Sequence, residues 1–540
     1  MLTGRKDAFL HAEEYDEVTG YTNPQESKHD FFTIGHTSTS VSLACGLAKA
    51  RDLKRGRENI IAVIGDGSLS GGEAYEGLSN AGETGTNLIV VVNDNEMSIG
   101  ENVGFISKFL KRVITSGKYL NFREDVKSFI NKIKANRIKK TLERMERSIK
   151  GYVTPFYALE SLGFRFFNVS EGNNIEKLLP MLKKAKDLKG PVILLVKTEK
   201  GKGYCFAEEN KEKFHGIAPF NIETGNTYKN SVSYSEVFGN KILELGKEDE
   251  NIYTLSAAMI KGTGLYKFSE EFPERCIDTG IAEGFAVTLA AGLAKSGKKP
   301  YVCIYSTFIQ RAVSQLIHDV SIQNLPVRFI IDRSGIVGED GKTHNGIYDL
   351  SFFLSIQNFT VLCPTTSKEL EQALEISKDF NSGPLVIRIP RDSIFDIEDE
   401  KPLEIGRWKE IKKGSKNLFI ATGTMLKIIL EIYDELKNRG IDCTIVSAAS
   451  VKPLDENYLL NYIKEYDNIF VLEENYVKNS FSTSILEFLN DNGIQKLIHR
   501  IALKSAIIPH GKREELLKEE KLKGESLIER IEELIYGRKK

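Results

Sequence analysis

Residues 65–95, GDGSLSGGEAYEGLSNAGETGTNLIVVVNDN, decide the fold that this sequence predicts. The short β-branched run NIIAVI (59–64) directly precedes the stretch, and a second such run, LIVVVN (88–93), ends two residues before the stretch does. Short apolar runs of this kind, bounded by glycine and polar residues, are typical of buried strands. The segment between them predicts a helix whose buried face carries Ala74, Tyr75, Leu78 and Ala81. The pattern therefore predicts two parallel strands joined by a crossover helix.

The same alternation continues along the rest of the chain. The further runs are VILLVK (192–197), YVCIYS (301–306), VRFIID (327–332), LVIRI (385–389), NLFIAT (417–422), DCTIVS (442–447) and NIFVLE (468–473). Longer amphipathic stretches separate them, which predicts an α/β fold with mainly parallel sheets flanked by helices. Polar stretches with glycine at 201–230 and 391–406 divide the runs into groups. We expect three α/β domains, at 1–230, 231–398 and 399–540.

Composition excludes several classes of protein. With 74 basic and 75 acidic residues in 540, the chain has no net field that would attract nucleic acid or a membrane surface. No membrane-spanning run or signal peptide is visible, which favours a cytoplasmic protein. The six cysteines form no CxxC pair and favour reduced thiols over disulfides or a zinc site. The basic stretch 129–150 is interpreted as a solvated amphipathic helix rather than a nucleic-acid surface.

Polar residues follow both strands of the opening stretch. Asp66 comes directly after Gly65, and Asn95 comes directly after Asp94. A glycine-rich turn before a helix favours a diphosphate, and carboxylate and amide oxygens are suitable ligands for Mg²⁺ bound to it. The alternatives are a dinucleotide-binding turn or an ordinary surface loop, although Ser70 stands where the dinucleotide pattern needs its last glycine.

The GDG pattern followed by NDN resembles the signature of the thiamine diphosphate enzymes, and specifically of the 1-deoxy-D-xylulose-5-phosphate synthases. The resemblance covers nearly the whole chain. Its segments are LTGRKDAF (2–9), GHTSTSVSLACGLA (35–48), NDNEMSI (93–99), KGKGY (200–204), FHGIAPF (214–220), IYSTFIQRA (304–312), IDRSGIVGEDGKTHNG (331–346), IRIPR (387–391), VKPLDE (451–456) and LEEN (472–475). It implies a transketolase-like fold, a homodimer, the cofactors thiamine diphosphate and Mg²⁺, and a transferase that condenses pyruvate with D-glyceraldehyde 3-phosphate.

The resemblance also implies which residues hold the cofactor. Asp66, Asn95 and the backbone carbonyl of Met97 are expected to bind Mg²⁺. The other expected cofactor contacts are Gly35, His36, Thr37, Gly67, Ser68 and Tyr204. Glu283, in DTGIAEGFAVTLAAGLA, matches the glutamate that bonds N1′ of the aminopyrimidine ring. Taken alone, Glu283 is more often expected to be only a carboxylate that caps a helix, and the surrounding motifs are what favour the cofactor role.

A further set of residues is expected to contact the substrates. Arg333 and Arg391 match the family's phosphate clamp, a task for which guanidinium groups are well shaped. Tyr305, Arg311, Asp340 and His344 are expected near the reacting carbonyl groups. His344 and His215 are the candidates for proton transfer, because histidine titrates near neutral pH.

Two features depart from the family pattern. The chain begins at the segment that the family places after a longer N-terminal region with a GHQ loop, and we therefore expect a shortened chain. Phe285 stands where the family usually has histidine, which removes a proton donor near the cofactor ring. The alternatives that stay open are a transketolase-like activity on ketose phosphates and a non-catalytic, truncated paralogue that binds a partner.

Overall fold

A computed structural model of the chain describes residues 3–12, 14–15, 17–95, 163–217, 219–227, 231–397 and 401–537. Met97 and the stretch 129–150, both singled out above, lie outside these residues. Two compact units are present. The one-sheet unit consists of residues 37–229 and 279–282, and the two-sheet unit consists of residues 1–36, 230–278 and 283–540.

The one-sheet unit is built on four parallel strands in the order β1-β2-β4-β3. They are β1 (Ile61–Gly65), β2 (Ile89–Asp94), β3 (Arg165–Val169) and β4 (Val192–Lys197). The described helices of this unit are Ser40–Leu53, Gly72–Thr84, Ile175–Lys186 and Cys205–Glu209. Ala74, Leu78 and Ala81 of the second helix are buried, but Tyr75 is 50% exposed. The expectation for Tyr75 was wrong because one residue step turns a helix by about 100° and carries it off the buried face.

The larger sheet of the two-sheet unit has the order β14-β9-β10-β8-β7-β5-β6, and only β14 runs antiparallel to its neighbour. Its strands are β5 (Ile252–Ser256), β6 (Cys276–Asp278), β7 (Lys299–Tyr305), β8 (Arg328–Ser334), β9 (Thr360–Leu362), β10 (Leu385–Pro390) and β14 (Ser450–Lys452). The central strands are buried along almost their whole length, as expected for a sheet covered by helices on both faces.

The smaller sheet of this unit has the order β11-β13-β12-β15-β16, with β11 antiparallel. Its strands are β11 (Lys409–Lys412), β12 (Asn417–Ala421), β13 (Cys443–Ser447), β15 (Asn468–Tyr476) and β16 (Ile498–Leu503). β14 lies in the segment 399–540, as do all strands of the smaller sheet, but it pairs with β9 of the segment 231–398. The two segments therefore share the larger sheet. The domain boundaries stay a prediction.

The helices of the two-sheet unit cover both sheets. They are Tyr234–Glu248, Tyr266–Glu271, Glu283–Lys295, Ser306–Ile309, Val313–Gln315, Asp349–Ser355, Ser367–Asp379, Thr424–Glu431, Tyr433–Asn438, Glu456–Asn461, Phe481–Asp491, Arg513–Glu519 and Gly524–Tyr536, together with the π-helical segment Leu316–Ser321. The first of them begins at a capping serine, since Ser233 Oγ accepts the N–H of Glu236 at 3.2 Å. None of the helices in the described part of the chain has the length and apolar character of a bilayer-spanning segment.

Candidate active site

Asp66 and Asn95 leave the sheet of the one-sheet unit at the same edge. They follow β1 and β2, which are adjacent and parallel, with Gly65 in register with Asn93. The N–H of Asp66 donates to the carbonyl of Asn93 at 3.1 Å, and Asp66 is only 4% exposed. This edge is where open α/β sheets bind their ligands. The arrangement suits the predicted metal pair, and the role of both residues stays a prediction.

The turn after Asp66 is fixed by serine side chains. Ser38 Oγ donates to the carbonyl of Ser68 at 2.7 Å, and Ser70 Oγ donates to the carbonyl of Gly67 at 2.7 Å. Ser70 Oγ also accepts the N–H of Ile281 at 3.0 Å. A Cβ at Gly71 would lie 2.4 Å from Ser38 Oγ, so only glycine allows the chain to pass this closely. The turn that carries Gly67 and Ser68 is therefore rigid before any ligand binds.

Lys200 is a residue of this site to which the sequence assigned no role. Its Nζ forms a hydrogen bond with Nδ1 of His215. Burial lowers the pKa of both groups, while the negative charges of Asp66 and Glu212 raise the pKa of Lys200. The structure therefore brings His215 and a lysine into the electrostatic neighbourhood of Asp66. The only sequence signal for Lys200 was its place in KGKGY.

Tyr204 lies in an aromatic cluster rather than alone. Its ring packs against Phe206, Phe214 and Phe220 at centroid distances of 5.6, 5.5 and 5.9 Å. Its hydroxyl donates to the carbonyl of Ile222 at 2.7 Å. These contacts fix the loop that carries Tyr204, and a cofactor contact by this residue stays a prediction. Thr37, also predicted as a contact, is exposed, with its Oγ1 3.5 Å from Ser38 Oγ.

In the two-sheet unit, Glu283 is the first residue of the helix Glu283–Lys295 and is 4% exposed. Burial raises the pKa of its carboxyl group, and its own backbone N–H and the charge of Arg311 oppose that effect. Arg311 Nη1 lies 3.9 Å from Glu283 Oε2. The shift favours a protonated carboxyl group, which is the form that can donate a hydrogen bond to a ring nitrogen.

His36 contacts the loop that carries His344. Its Nε2 lies 2.9 Å from Thr307 Oγ1 and 3.1 Å from the carbonyl of Thr343. Burial, reinforced by the positive charge of Arg311 and by His344 when that residue is protonated, lowers the pKa of His36 to about 4, so its imidazole is neutral at neutral pH. Gly35 is required beside it, because a Cβ there would lie 2.1 Å from Thr343 Oγ1.

His344 is held from both ring nitrogens. Nδ1 lies 2.9 Å from Thr343 Oγ1, and Nε2 lies 3.3 Å from the hydroxyl of Tyr21. The ring of Tyr21 also stacks on the imidazole, with centroids 4.6 Å apart. Burial lowers the pKa of His344, the charges of Arg333 and Arg391 act in the same direction, and Asp340 opposes them. Tyr21 has no sequence signal, since it lies more than 300 residues from its partner.

Arg333 and Arg391 converge on Asp340. The distances from Asp340 Oδ2 are 3.0 Å to Nη1 of Arg391 and 3.9 Å to Nη1 of Arg333. The guanidinium of Arg333 lies 4.0 Å from the ring centroid of Tyr305. Tyr305 itself reaches over Gly262, where a Cβ would lie 1.8 Å from the tyrosine hydroxyl. The predicted phosphate-binding residues are therefore neighbours.

The two arginines line a cavity of about 840 Å³ within the two-sheet unit. Three further cationic residues line it, Lys261, Lys267 and Arg513. The sequence pointed to none of these three. Five acidic residues, Glu236, Asp332, Glu339, Asp392 and Glu514, line it as well, so recognition of an anion here depends on individual guanidinium groups rather than on a net positive field. Arg513 is also paired with Glu474 at 2.5 Å and with Asp392 at 3.2 Å, so its charge is partly neutralised.

The sequence matches three family models. They are 1-deoxy-D-xylulose-5-phosphate synthase over residues 1–198, the pyrimidine-binding domain of transketolase over residues 230–395, and the C-terminal domain of transketolase over residues 406–527. The 1-deoxy-D-xylulose-5-phosphate synthase of Fusobacterium nucleatum is 82% identical, across 100% of this chain and 90% of its own length. That of Natranaerobius thermophilus is 44% identical, across 99% of this chain and 86% of its own length.

Solved transketolases share the fold at low sequence identity. The Campylobacter jejuni enzyme superposes with a TM-score of 0.50 at 19% identity, across 92% of this chain and 80% of its own. A split-gene transketolase, described as an inactive β4 tetramer, superposes with a TM-score of 0.51 at 24% identity, across 56% of this chain and 98% of its own. The predicted transketolase-like α/β fold is confirmed.

Proposed function

The chain belongs to the 1-deoxy-D-xylulose-5-phosphate synthase family, and we propose that the residues described above carry out that family's reaction. It is a thiamine diphosphate-dependent transferase. It condenses pyruvate with D-glyceraldehyde 3-phosphate, releasing carbon dioxide and forming 1-deoxy-D-xylulose 5-phosphate, the entry to non-mevalonate isoprenoid synthesis. The observation that carries the assignment of residues is the buried Glu283 carboxyl group, 4% exposed and 3.9 Å from Arg311.

The two-sheet unit carries the residues that suit the aminopyrimidine ring. When bound, thiamine diphosphate supplies the electron sink that lets pyruvate lose carbon dioxide. Glu283 donates its proton to N1′ of that ring, because burial favours its protonated form. The charge of Arg311 acts on His36 as it does on Glu283, and the close approach of Gly35 to Thr343 places the neutral imidazole of His36 against the same loop.

The one-sheet unit carries the residues that suit a metal-bound diphosphate. Asp66 and Asn95 would supply side-chain oxygens for Mg²⁺, and Met97, outside the described residues, is the proposed source of a backbone carbonyl. Gly67, Ser68 and Thr37 offer backbone or hydroxyl groups to the diphosphate, and Tyr204 closes the site. The support is the shared edge of β1 and β2 and the rigid turn after Asp66. Lys200 adds a positive charge near Asp66.

Residues in and near the cavity of the two-sheet unit bind the substrates. Arg333 and Arg391 bind the phosphate of D-glyceraldehyde 3-phosphate, and Asp340 aligns both guanidinium groups. Arg311 and Tyr305 orient the reacting carbonyl groups. His344 accepts and returns protons at these carbonyls, because its lowered pKa leaves a neutral imidazole at neutral pH. His215, bonded to Lys200, has the same capacity.

An apolar surface on the two-sheet unit supports a homodimer. Phe285, Ile317 and Ile322 are 59%, 41% and 69% exposed. Ile317 and Ile322 border a groove of about 790 Å³ that also includes Tyr348 and Phe352. Exposed apolar surface of this kind marks an interface, and a second copy of the chain covers it. We place the enzyme in the cytoplasm, where its substrates are made and where its six free cysteines stay reduced.

The proposal is tested by following both products. Purified chain is incubated with thiamine diphosphate, Mg²⁺ and pyruvate, with and without D-glyceraldehyde 3-phosphate. Carbon dioxide and 1-deoxy-D-xylulose 5-phosphate in a one-to-one ratio, dependent on both substrates, are the expected result. A chain that instead transfers a two-carbon unit between ketose and aldose phosphates, without releasing carbon dioxide, would contradict it.

A further inference from the structure

Asp332 is a buried carboxyl group in the wall of the cavity that Arg333 and Arg391 line, and the reaction above assigns it no part. It lies on β8, in register with Tyr305 of β7 and directly before Arg333. Its exposed fraction is 0%, yet it belongs to the residues that line the cavity. A carboxyl group that is buried beside a phosphate site repels the phosphate when it is charged, so its presence there requires a compensating role.

Both oxygens of Asp332 are engaged by hydrogen bonds. Ser235 Oγ, in the first turn of the helix Tyr234–Glu248, donates to Oδ2 at 2.7 Å. The backbone N–H of Arg333 donates to Oδ1 at 2.6 Å. Ser235 thus anchors one side of the carboxyl group on a helix, while the other side holds the backbone of the neighbouring arginine.

The backbone of Arg333 adopts an unusual conformation directly after this peptide group. Its φ of +56° is in the left-handed region, which is unfavourable for a residue with a Cβ. This conformation determines where the side chain leaves the strand. The guanidinium group then lies 4.0 Å from the ring centroid of Tyr305 and 3.9 Å from Asp340. A relaxed backbone would direct the same side chain elsewhere.

We propose that Asp332 is a positioning residue for phosphate recognition: by accepting the N–H of Arg333 and the hydroxyl of Ser235, it fixes the peptide group from which Arg333 enters its left-handed conformation, and so aims the Arg333 guanidinium at the phosphate of the aldehyde substrate. The inference rests on the proposed function only for the identity of that substrate. Asp332 itself does not touch the phosphate. Its effect is confined to ligands that carry a phosphate group.

The test compares ligands with and without phosphate. For the unmodified chain and Asp332→Ala, the dissociation constant of D-glyceraldehyde 3-phosphate is measured by calorimetry without pyruvate. The kcat/KM ratio of D-glyceraldehyde 3-phosphate to unphosphorylated D-glyceraldehyde is measured at saturating pyruvate. We expect the Ala variant to weaken binding and to lower the ratio, each by about tenfold or more. Asp332→Asn restores both values, because its amide oxygen still accepts the Arg333 N–H.

A matched control exists in the same sheet. Asp278 Oδ1 accepts the N–H of Ala258 at 2.9 Å, and Ala258 also has a left-handed φ, of +61°. Ala258 is not among the residues that line the cavity. Asp278→Ala removes the same kind of contact and is expected to leave both phosphate-dependent measurements unchanged. If Asp332→Ala does not fold, Ser235→Ala is used instead, because it removes the hydrogen bond that anchors Asp332. We expect it to weaken phosphate binding and to lower the kcat/KM ratio in the same direction, but by less.

The possible results test the role of Asp332 separately from the proposed function. Unchanged phosphate binding in Asp332→Ala, or in Ser235→Ala where the first variant does not fold, overturns the inference. An equal loss in Asp278→Ala overturns it too. Failure of the unmodified chain to form product contradicts the proposed function, whereas the calorimetric comparison still decides the role of Asp332.

Discussion

Burial shifts the pKa values of Glu283, His36 and His344, but in opposite directions for the carboxyl group and the two imidazoles. It raises the pKa of the Glu283 carboxyl group and lowers the pKa of both imidazoles, that of His36 to about 4. Each shift favours the uncharged form. The charged groups that act on these three residues are Arg311, Arg333, Arg391 and Asp340, and Asp340 forms ion pairs with Arg333 and Arg391.

Asp332 gives a pH-dependent prediction. Burial raises the pKa of its carboxyl group from 3.8 to about 6, against the bonds from Ser235 and Arg333 and the charges of Arg333 and Arg391. A carboxyl group whose pKa is raised by folding stabilises the fold below about pH 4, and this contribution is lost as the pH rises through 6. The Asp332→Asn variant has no carboxyl group at this position, so its stability does not change with pH for this reason. Its free energy of unfolding, relative to the unmodified chain, should increase by about 1 kcal/mol between pH 5 and pH 7.5.

Denaturant titrations at the two pH values measure this difference. If the free energy of unfolding of Asp332→Asn instead falls relative to that of the unmodified chain between pH 5 and pH 7.5, the sign of the pKa shift is wrong.

Much of the candidate site could be predicted at the residue scale because motifs keep their spacing. Asp66 and Asn95 follow adjacent strands, and Arg333 and Arg391 come from β8 and the end of β10, which are paired. The residues that sequence analysis missed act through partners that are distant along the chain. Tyr21 bonds His344, and Lys200 bonds His215. No local pattern reports such contacts, because the fold alone brings the partners together.

At the scale of elements, the nine β-branched runs all form strands: β1, β2, β4, β7, β8, β10, β12, β13 and β15. The strands that were not predicted are mostly short or lie at the edges of sheets. β6, β9 and β14 have three residues each, too few for a periodic signal. β5 is longer and internal, but its Thr254 and Ser256 are fully buried polar residues that hide its apolar pattern.

The C-terminus of the helix Gly72–Thr84 gives a prediction about stability. Gly85 ends this helix in the left-handed conformation, with φ +62°, and a Cβ there would meet nothing within 4 Å. The cost of Gly85→Ala is therefore conformational, and should be about 1 kcal/mol. Gly72→Ala is the control, since Gly72 also has open space around its Cβ position and has no positive φ. Denaturation midpoints that fall equally in both variants would contradict the explanation.

At the scale of the whole molecule, the proposed dimer depends on apolar residues of the two-sheet unit. Ile317→Asp with Ile322→Asp places two charges on the surface that a second copy would cover. Sedimentation at micromolar concentration should show a dimer for the unmodified chain and a monomer for the double variant. Leu497→Asp, at a residue that is 72% exposed elsewhere on the unit, should remain a dimer. Unchanged sedimentation of the double variant would place the interface on another surface.

The most direct test of the account is the turnover of Glu283→Gln. This substitution keeps the shape of the side chain but removes the acidic proton that the account assigns to the cofactor ring. We expect the rate of 1-deoxy-D-xylulose 5-phosphate formation to fall by about 100-fold or more when thiamine diphosphate, Mg²⁺ and both substrates are saturating. The control is Glu176→Gln, which also changes a glutamate in the first turn of a helix and should keep the full rate. A Glu283→Gln chain whose rate stays within about twofold of the unmodified chain would contradict the assigned role of Glu283.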